Sequence, residues 1–210
     1  MSKLILTRHG HVEGIIPPRF RGRIDLELTV RGGKEAARLS KRIPALWTPT
    51  ALFCSPLKRS VATAKAIGSE CRIEVQPLAE LNDIDYGSWQ YQTFEEVRAR
   101  EPQLYEKWFT TPERVRFPGG ESLQDVATRT ADAMRYIYLD HPDDTVVVVA
   151  HDSVNRVLLS QLLGMPLSAY WRFVQDACCI NEIEGIGESI RLLRMNDTGH
   201  LPVEEHRLRR

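Results

Sequence analysis

Four consecutive valines, Val146–Val149 in "TVVVVAHD" (145–152), constrain this chain more than any other stretch. A β-strand turns successive side chains to opposite faces of its sheet, so an unbroken β-branched run is apolar on both faces. Such a strand belongs in the middle of a parallel sheet with helices on either side. Parallel neighbours need long crossover connections, and the rest of the chain offers them. Leu4–Thr7, "ALFCSP" (51–56) and "IEVQPL" (73–78) are predicted to be further strands. "LTVRGGKEAARLSKRIPALW" has a helical period, with Thr29 as cap and Ala36, Leu39 and Ile43 inward. "LKRSVATAKAIGSEC" is predicted to be a helix started by Ser55 and Pro56. "TFEEVRAREPQLYEKWF" (93–109) is helical but broken at Pro102. Ser122 can cap "LQDVATRTADAMRYIYL", with Asp125 three residues on. "SVNRVLLSQLLG" is another helix, "CCINEIEG" and "SIRLLRMN" are two final strands, and "PVEEHRLRR" is a polar tail. The expected fold class is α/β: a three-layer α/β/α sandwich with a mostly parallel central sheet. Residues 1–210 are expected to form one domain, with a small helical cap-like segment near 90–120.

Basic and acidic residues balance at 28 each, which argues against nucleic acid or an anionic membrane as partner, so any anion site must be local. Cys54, Cys71, Cys178 and Cys179 have neither zinc spacing nor a disulfide framework and read as reduced thiols. Without a membrane-length apolar run or a signal-peptide core, a soluble cytoplasmic protein is expected. A homodimer through an edge strand or the broken helix is a candidate assembly.

In doubly wound sheets ligands bind beyond the carboxyl ends of the strands. Here Arg8-His9 ends one predicted strand, Ser55-Pro56 with Arg59 follows a second, and His151-Asp152 ends the valine strand. Two guanidiniums and two imidazoles at one edge suit a phosphate dianion. A histidine whose other ring nitrogen donates to a carbonyl can attack phosphorus, and Arg8, Arg59 and a protonated His151 would hold the remaining oxygens. "ELNDIDYGSW" (80–89) supplies Glu80, Asp83 and Asp85 as acids for the leaving oxygen, and the chemistry calls for no metal and no cofactor.

Singly, each residue has a plainer explanation. His9 could be a hydrogen-bonded structural histidine, and Arg8 and Arg59 surface ion pairs. Asp83 could cap a turn, as Asp85 is expected to. Gly119-Gly120 and Ser122 could form only a turn and a cap. His11 reads as a pocket-wall or solvated residue, and His141 and His206 as solvent-facing. Joint convergence at strand ends favours the functional reading for Arg8, His9, Arg59, Asp83 and His151.

"LTRHG", "SPLKRSVATA", "LNDIDYGSWQ", "FPGGESL" and "VVAHDSVNRVLL" together resemble the phosphoglycerate-mutase-like branch of the histidine phosphatase superfamily, in order and spacing, from about Leu4 to Leu201. The resemblance implies that His9 becomes phosphorylated, that Arg8 and Arg59 bind phosphate, that His151 is the second pocket histidine and that Asp83 is the acid. It also places Arg21 and Gly22 of "RFRGRIDLELT", Glu121, Asp152 and His200 near the substrate. The family usually has glutamate at Asp83, asparagine at Ile15 and glycine at Asp152, and its phosphoserine phosphatases carry histidine at Tyr86. Mutases of the family have a long insertion after the acid motif. Only roughly thirty residues separate "YGSW" from "PGGES" here, so hydrolysis of a small phosphorylated metabolite is favoured. The competing readings are a mutase-type phosphotransferase, a divalent-metal hydrolase built on "HGH" and "HD", and a phosphate-ester binding protein without turnover.

Overall fold

The computed structural model describes residues 2–15, 17–185 and 187–202. The chain runs β1 (Lys3–Arg8), α1 (Val30–Leu46), β2 (Ala51–Cys54), α2 (Lys58–Cys71), β3 (Val75–Pro77), α3 (Phe94–Arg100), α4 (Pro102–Thr110), α5 (Leu123–Asp140), β4 (Thr145–Ala150), α6 (Asp152–Leu162), β5 (Ile180–Glu184) and β6 (Arg191–Asp197). The strands form one sheet in the order β3-β2-β4-β1-β5-β6. β4 is parallel to both β1 and β2, and β2 is parallel to β3. The last two strands are an antiparallel extension beside β1.

The valine strand holds the place its composition demands. Val148 sits between Leu6 of β1 and Phe53 of β2. Val146, Val148 and Ala150 join Leu4, Leu6 and Phe53 in the apolar layer that includes α5 and α6 residues. Val147 and Val149 join Ile5, Leu52 and Cys54 under α1 and α2. All of these side chains are essentially buried, and each one of valine or leucine size contributes about 1.5–3 kcal/mol. The helix between β1 and β2 and the one between β2 and β3 thus cover one face, while those before and after β4 cover the other.

Local signals worked where side chains could cap. The Thr29 side chain accepts from the Gly32 amide at the start of α1. Ser122 and Asp125 form a reciprocal capping box on α5. Pro102 separates α3 from α4 as the first residue of the second helix. The start of α2 differs from expectation: Leu57 is its cap residue and has no capping side chain, while the Ser55 hydroxyl accepts from the Leu57 amide at 3.3 Å. The third strand shortens to three residues. His141, expected to face solvent, is half-buried at the C-cap of α5, where Asp144 lies 2.8 Å from its Nδ1 and its ring packs edge-on to Phe53. The tail expected over 202–210, with His206, lies outside the described residues from 203 onward. Among the described residues no helix is long and apolar enough to cross a membrane.

Candidate active site

The carboxyl ends of β1, β2 and β4 open on one edge of the sheet, and the predicted groups meet there. The His9 amide continues the parallel ladder by donating to the Ala150 carbonyl at 3.1 Å. Its Nδ1 lies 2.7 Å from the Gly10 carbonyl oxygen, which can only accept, so Nδ1 carries the hydrogen. The lone pair is therefore on Nε2, where Arg59 Nε donates to it at 3.2 Å. Burial, with Arg59 and Arg8 as close cations, holds the His9 pKa well below its ordinary value. The ring is neutral, with its nucleophilic nitrogen turned toward the cluster. Gly10 keeps this turn tight: a Cβ there would meet the Gly32 carbonyl oxygen at 2.6 Å.

Arg59 enters from the first turn of α2 and is fully buried. Nη1 donates to the Ile24 carbonyl at 2.7 Å, and Nη2 donates to the Gly22 carbonyl at 2.7 Å and to Asp83 Oδ2 at 3.0 Å. One guanidinium thus ties His9, Asp83 and the loop between β1 and α1. Gly22 has φ 47° and its missing Cβ would meet the Ile84 carbonyl oxygen at 2.8 Å, so only glycine fits.

Asp83 Oδ1 accepts from the Ile84 amide at 2.9 Å. Burial pushes its pKa up, against the pull of Arg59 and Arg21. Its backbone is clamped from below, because Arg129 donates to the carbonyls of Glu80, Asn82 and Asp83 at 2.6, 2.7 and 3.2 Å. Glu121 fastens that clamp: its carboxylate accepts from Arg129, from Arg23 Nη2 at 3.0 Å and from the Asp85 amide at 2.9 Å. The structure therefore places Glu121 behind the acid loop, with both oxygens engaged.

The rings of His9 and His151 have centroids 5.1 Å apart, and His151 Nδ1 is 3.6 Å from Asp83 Oδ2. Neither ring nitrogen of His151, nor Nε of buried Arg8, makes a hydrogen bond among the described residues. With no phosphate against it, burial, reinforced by Arg59, holds the His151 pKa well below its ordinary value. Arg8 is positioned through Nη1, which donates to the Gln175 carbonyl at 2.6 Å. Sequence reasoning missed the buried amides behind it. Asn155 Nδ2 donates to Gln175 Oε1 at 3.1 Å, and Gln175 Nε2 donates to Asn181 Oδ1 at 2.9 Å. Asn155 and Asn181 lie within elements with buried neighbours, where a polar residue signals such a network; Gln175, on a loop, gives no local signal.

Arg8, Arg21 and Asp152 line a cleft of about 420 Å³. Arg21 donates to the Gly14 carbonyl, and its pKa is lowered to about 10 by burial and the neighbouring Arg8. Asp152 does not point a free carboxylate at the site: Arg156 Nε donates to it at 2.7 Å. Although burial works against its charge, Arg156 and Arg8 hold the Asp152 carboxyl below its ordinary value. His11 Nδ1 lies 3.0 Å from the Thr29 hydroxyl, at the cap of α1. His200 follows β6 near the same edge of the sheet, two strands from β1, and does not line the cleft. A larger groove of about 790 Å³, bordered by Leu158, Leu162 and Ile190, lies toward the end of α6 opposite His151 and carries none of these groups.

The sequence pattern of the histidine phosphatase superfamily (branch 1) matches residues 4–198. The chain belongs to that superfamily. Among characterised relatives, this histidine phosphatase is 34% identical over 210 residues to phosphoserine phosphatase 1 of Hydrogenobacter thermophilus, covering 99% of each chain. Its fold is similar to that of YhfR from Bacillus stearothermophilus (TM-score 0.89, 27% identity, 95% of this chain and 99% of the other). It is also similar to a phosphoserine phosphatase of Entamoeba histolytica in complex with 3-phosphoglyceric acid (TM-score 0.86, 27% identity, 96% and 100% covered). The neighbours agree with the phosphoglycerate-mutase-like α/β architecture that the motif resemblance implied.

Proposed function

We propose that the chain hydrolyses small phosphomonoesters through a phosphohistidine at His9. The observation that carries this reading is the fixed tautomer of His9, whose Nε2 lone pair is held among Arg59, Asp83 and His151. In the first step Nε2 attacks phosphorus, the bond to the leaving oxygen breaks, and the Asp83 proton passes to that oxygen. Arg8 Nε and His151 supply donors to the phosphoryl oxygens, and Arg59 shifts its Nε hydrogen from His9 to phosphate as the nitrogen becomes bonded. In the second step water attacks the phosphohistidine, the Asp83 carboxylate takes its proton, and inorganic phosphate leaves with His9 neutral again. His151 takes up a proton when a dianion lies against it, which reverses the effect of its neighbouring cations.

Segment α3–α4 acts as a cap on the leaving-group side, since Phe94, Trp108 and Phe109 line the cleft. All four cysteines are free thiols, in keeping with a reducing, cytoplasmic setting. The test is hydrolysis of p-nitrophenyl phosphate in excess chelator by wild type and His9→Ala. Wild type is expected to turn over and to form an acid-labile phosphoryl adduct, while the variant loses at least ~10³-fold in kcat. Full activity in His9→Ala would sink the reading, and activity abolished by chelator and restored by metal would replace it with metal-assisted hydrolysis.

A further inference from the structure

The cleft beside the phosphate-binding groups has a composition of its own. Besides the charged residues already described, its walls include Ile15, Tyr86, Phe94, Phe109 and Trp171. Phe20, Trp108 and Tyr170 line the same space from buried positions; Phe20 meets Tyr86 edge-on at 5.1 Å, and Trp108 meets Trp171 edge-on at 5.3 Å. Trp171 is locked: its indole N–H donates to the Trp108 carbonyl at 2.7 Å, it stacks on Phe109 (centroids 5.0 Å, 19°), and the Arg156 guanidinium lies 4.9 Å from its centre. The π-surface of Trp171 is already engaged by Phe109 and the Arg156 cation, while Tyr86, Phe94 and Phe109 add ring surface to the same wall, a lining that suits another ring.

Charge points the same way. Asp152 is the sole acid lining the cleft among the described residues, and Arg156 neutralises it, while Arg8, Arg19 and Arg21 line the same space. An ammonium group would meet three guanidiniums and no unpaired carboxylate. The volume of about 420 Å³ also exceeds what a three-carbon amino acid fills, leaving most of the aromatic wall wet.

We infer that the leaving alcohol of the preferred ester carries a planar apolar ring and no cationic group, an aryl-alkyl or heteroaryl-alkyl phosphate in place of phosphoserine. This rests on the phosphomonoesterase reading and deepens it.

The experiment compares 2-phenylethyl phosphate, glycerol 1-phosphate and phosphoserine, whose leaving groups are all alkyl alcohols, so that leaving-group chemistry does not dominate the ranking. Affinity is measured by calorimetry on His9→Ala, which retains the cleft but not the nucleophile, and kcat/KM is measured on the wild type. The ring-bearing ester is expected to lead phosphoserine by about 10–100-fold in both measures, the scale of burying one ring. Phe109→Ala, at a side chain already 36% exposed, and Trp171→Leu are expected to collapse the ratio of ring-bearing to ring-free ester, chiefly through KM. Equal or tighter binding of phosphoserine, or a ratio unmoved by both substitutions, overturns the inference. Absent turnover of every ester, with the ring-bearing one still binding best, would retain it and remove the hydrolytic reading instead.

Discussion

At the scale of single residues the site is a set of paired opposites held by one guanidinium. Burial drives His9 and Asp83 both toward their neutral forms, but the consequences differ: His9 becomes a base with a free lone pair, and Asp83 keeps a proton to give away. A rise in pH therefore ionises Asp83 and removes the acid, whereas a fall in pH must go well below 6.5 before it protonates His9. kcat/KM, which covers the steps through phosphohistidine formation, is expected to fall as pH rises and ionises Asp83, with a midpoint above 3.8, and to show no limb from His9 near 6.5. Asp83→Asn is expected to lower kcat by ~10²–10⁴-fold for alkyl esters, and by less for p-nitrophenyl phosphate, whose leaving group barely needs the proton. Equal losses for both leaving groups would show that Asp83 is not the acid. Asp83→Glu restores the longer reach and is expected to retain the pH limb.

At the scale of elements, ends matter more than lengths. Ser122 and Asp125 close the start of α5, and the same helix carries Arg129, which clamps the acid loop. Ser122→Ala removes one capping acceptor and is expected to lower stability by about 1 kcal/mol, read as a shift in the denaturation midpoint at unchanged m-value. These ends were legible in advance because a cap is a local bargain among three or four residues. The same locality exposed the strand-end positions of Arg8, His9, Arg59 and His151. What stayed illegible was contributed by distant partners. Nothing near Glu121 announces Arg23, and the Gln175 loop meets Arg8 only after β5 has paired with β1, whereas the Asp152–Arg156 pair, four residues apart on α6, was local.

For the whole molecule the sheet order sets what can be stable. Two imidazoles are fully buried next to arginines, and both refuse protons that the unfolded chain accepts near pH 6.5. Because the unfolded state binds more protons below that value, stability is complete above 6.5 and is lost as pH falls through it. Each histidine adds a slope of about 1.4 kcal/mol per pH unit. Asp83 works in the opposite sense, its penalty growing as pH rises past 3.8. Chemical denaturation between about pH 7 and 5 is expected to show the histidine slope, steepest below 6.5, and a His9→Ala/His151→Ala double variant to flatten it. A wild-type profile without slope would mean that the two rings are not held neutral.

β4 lies between β1 and β2, although the chain makes it after both. During synthesis, a ribosome that has released the first 140 residues has delivered His9, Arg59 and Asp83, but not the strand that draws their two supports together. Until β4 slots in, β1 and β2 lack their shared parallel partner, and the backbone of His9 has no Ala150 carbonyl to bind. His9 is thus among the first groups made, yet its backbone is fixed only once β4 arrives, so a nascent or prematurely terminated chain carries the residue without the frame that orients it.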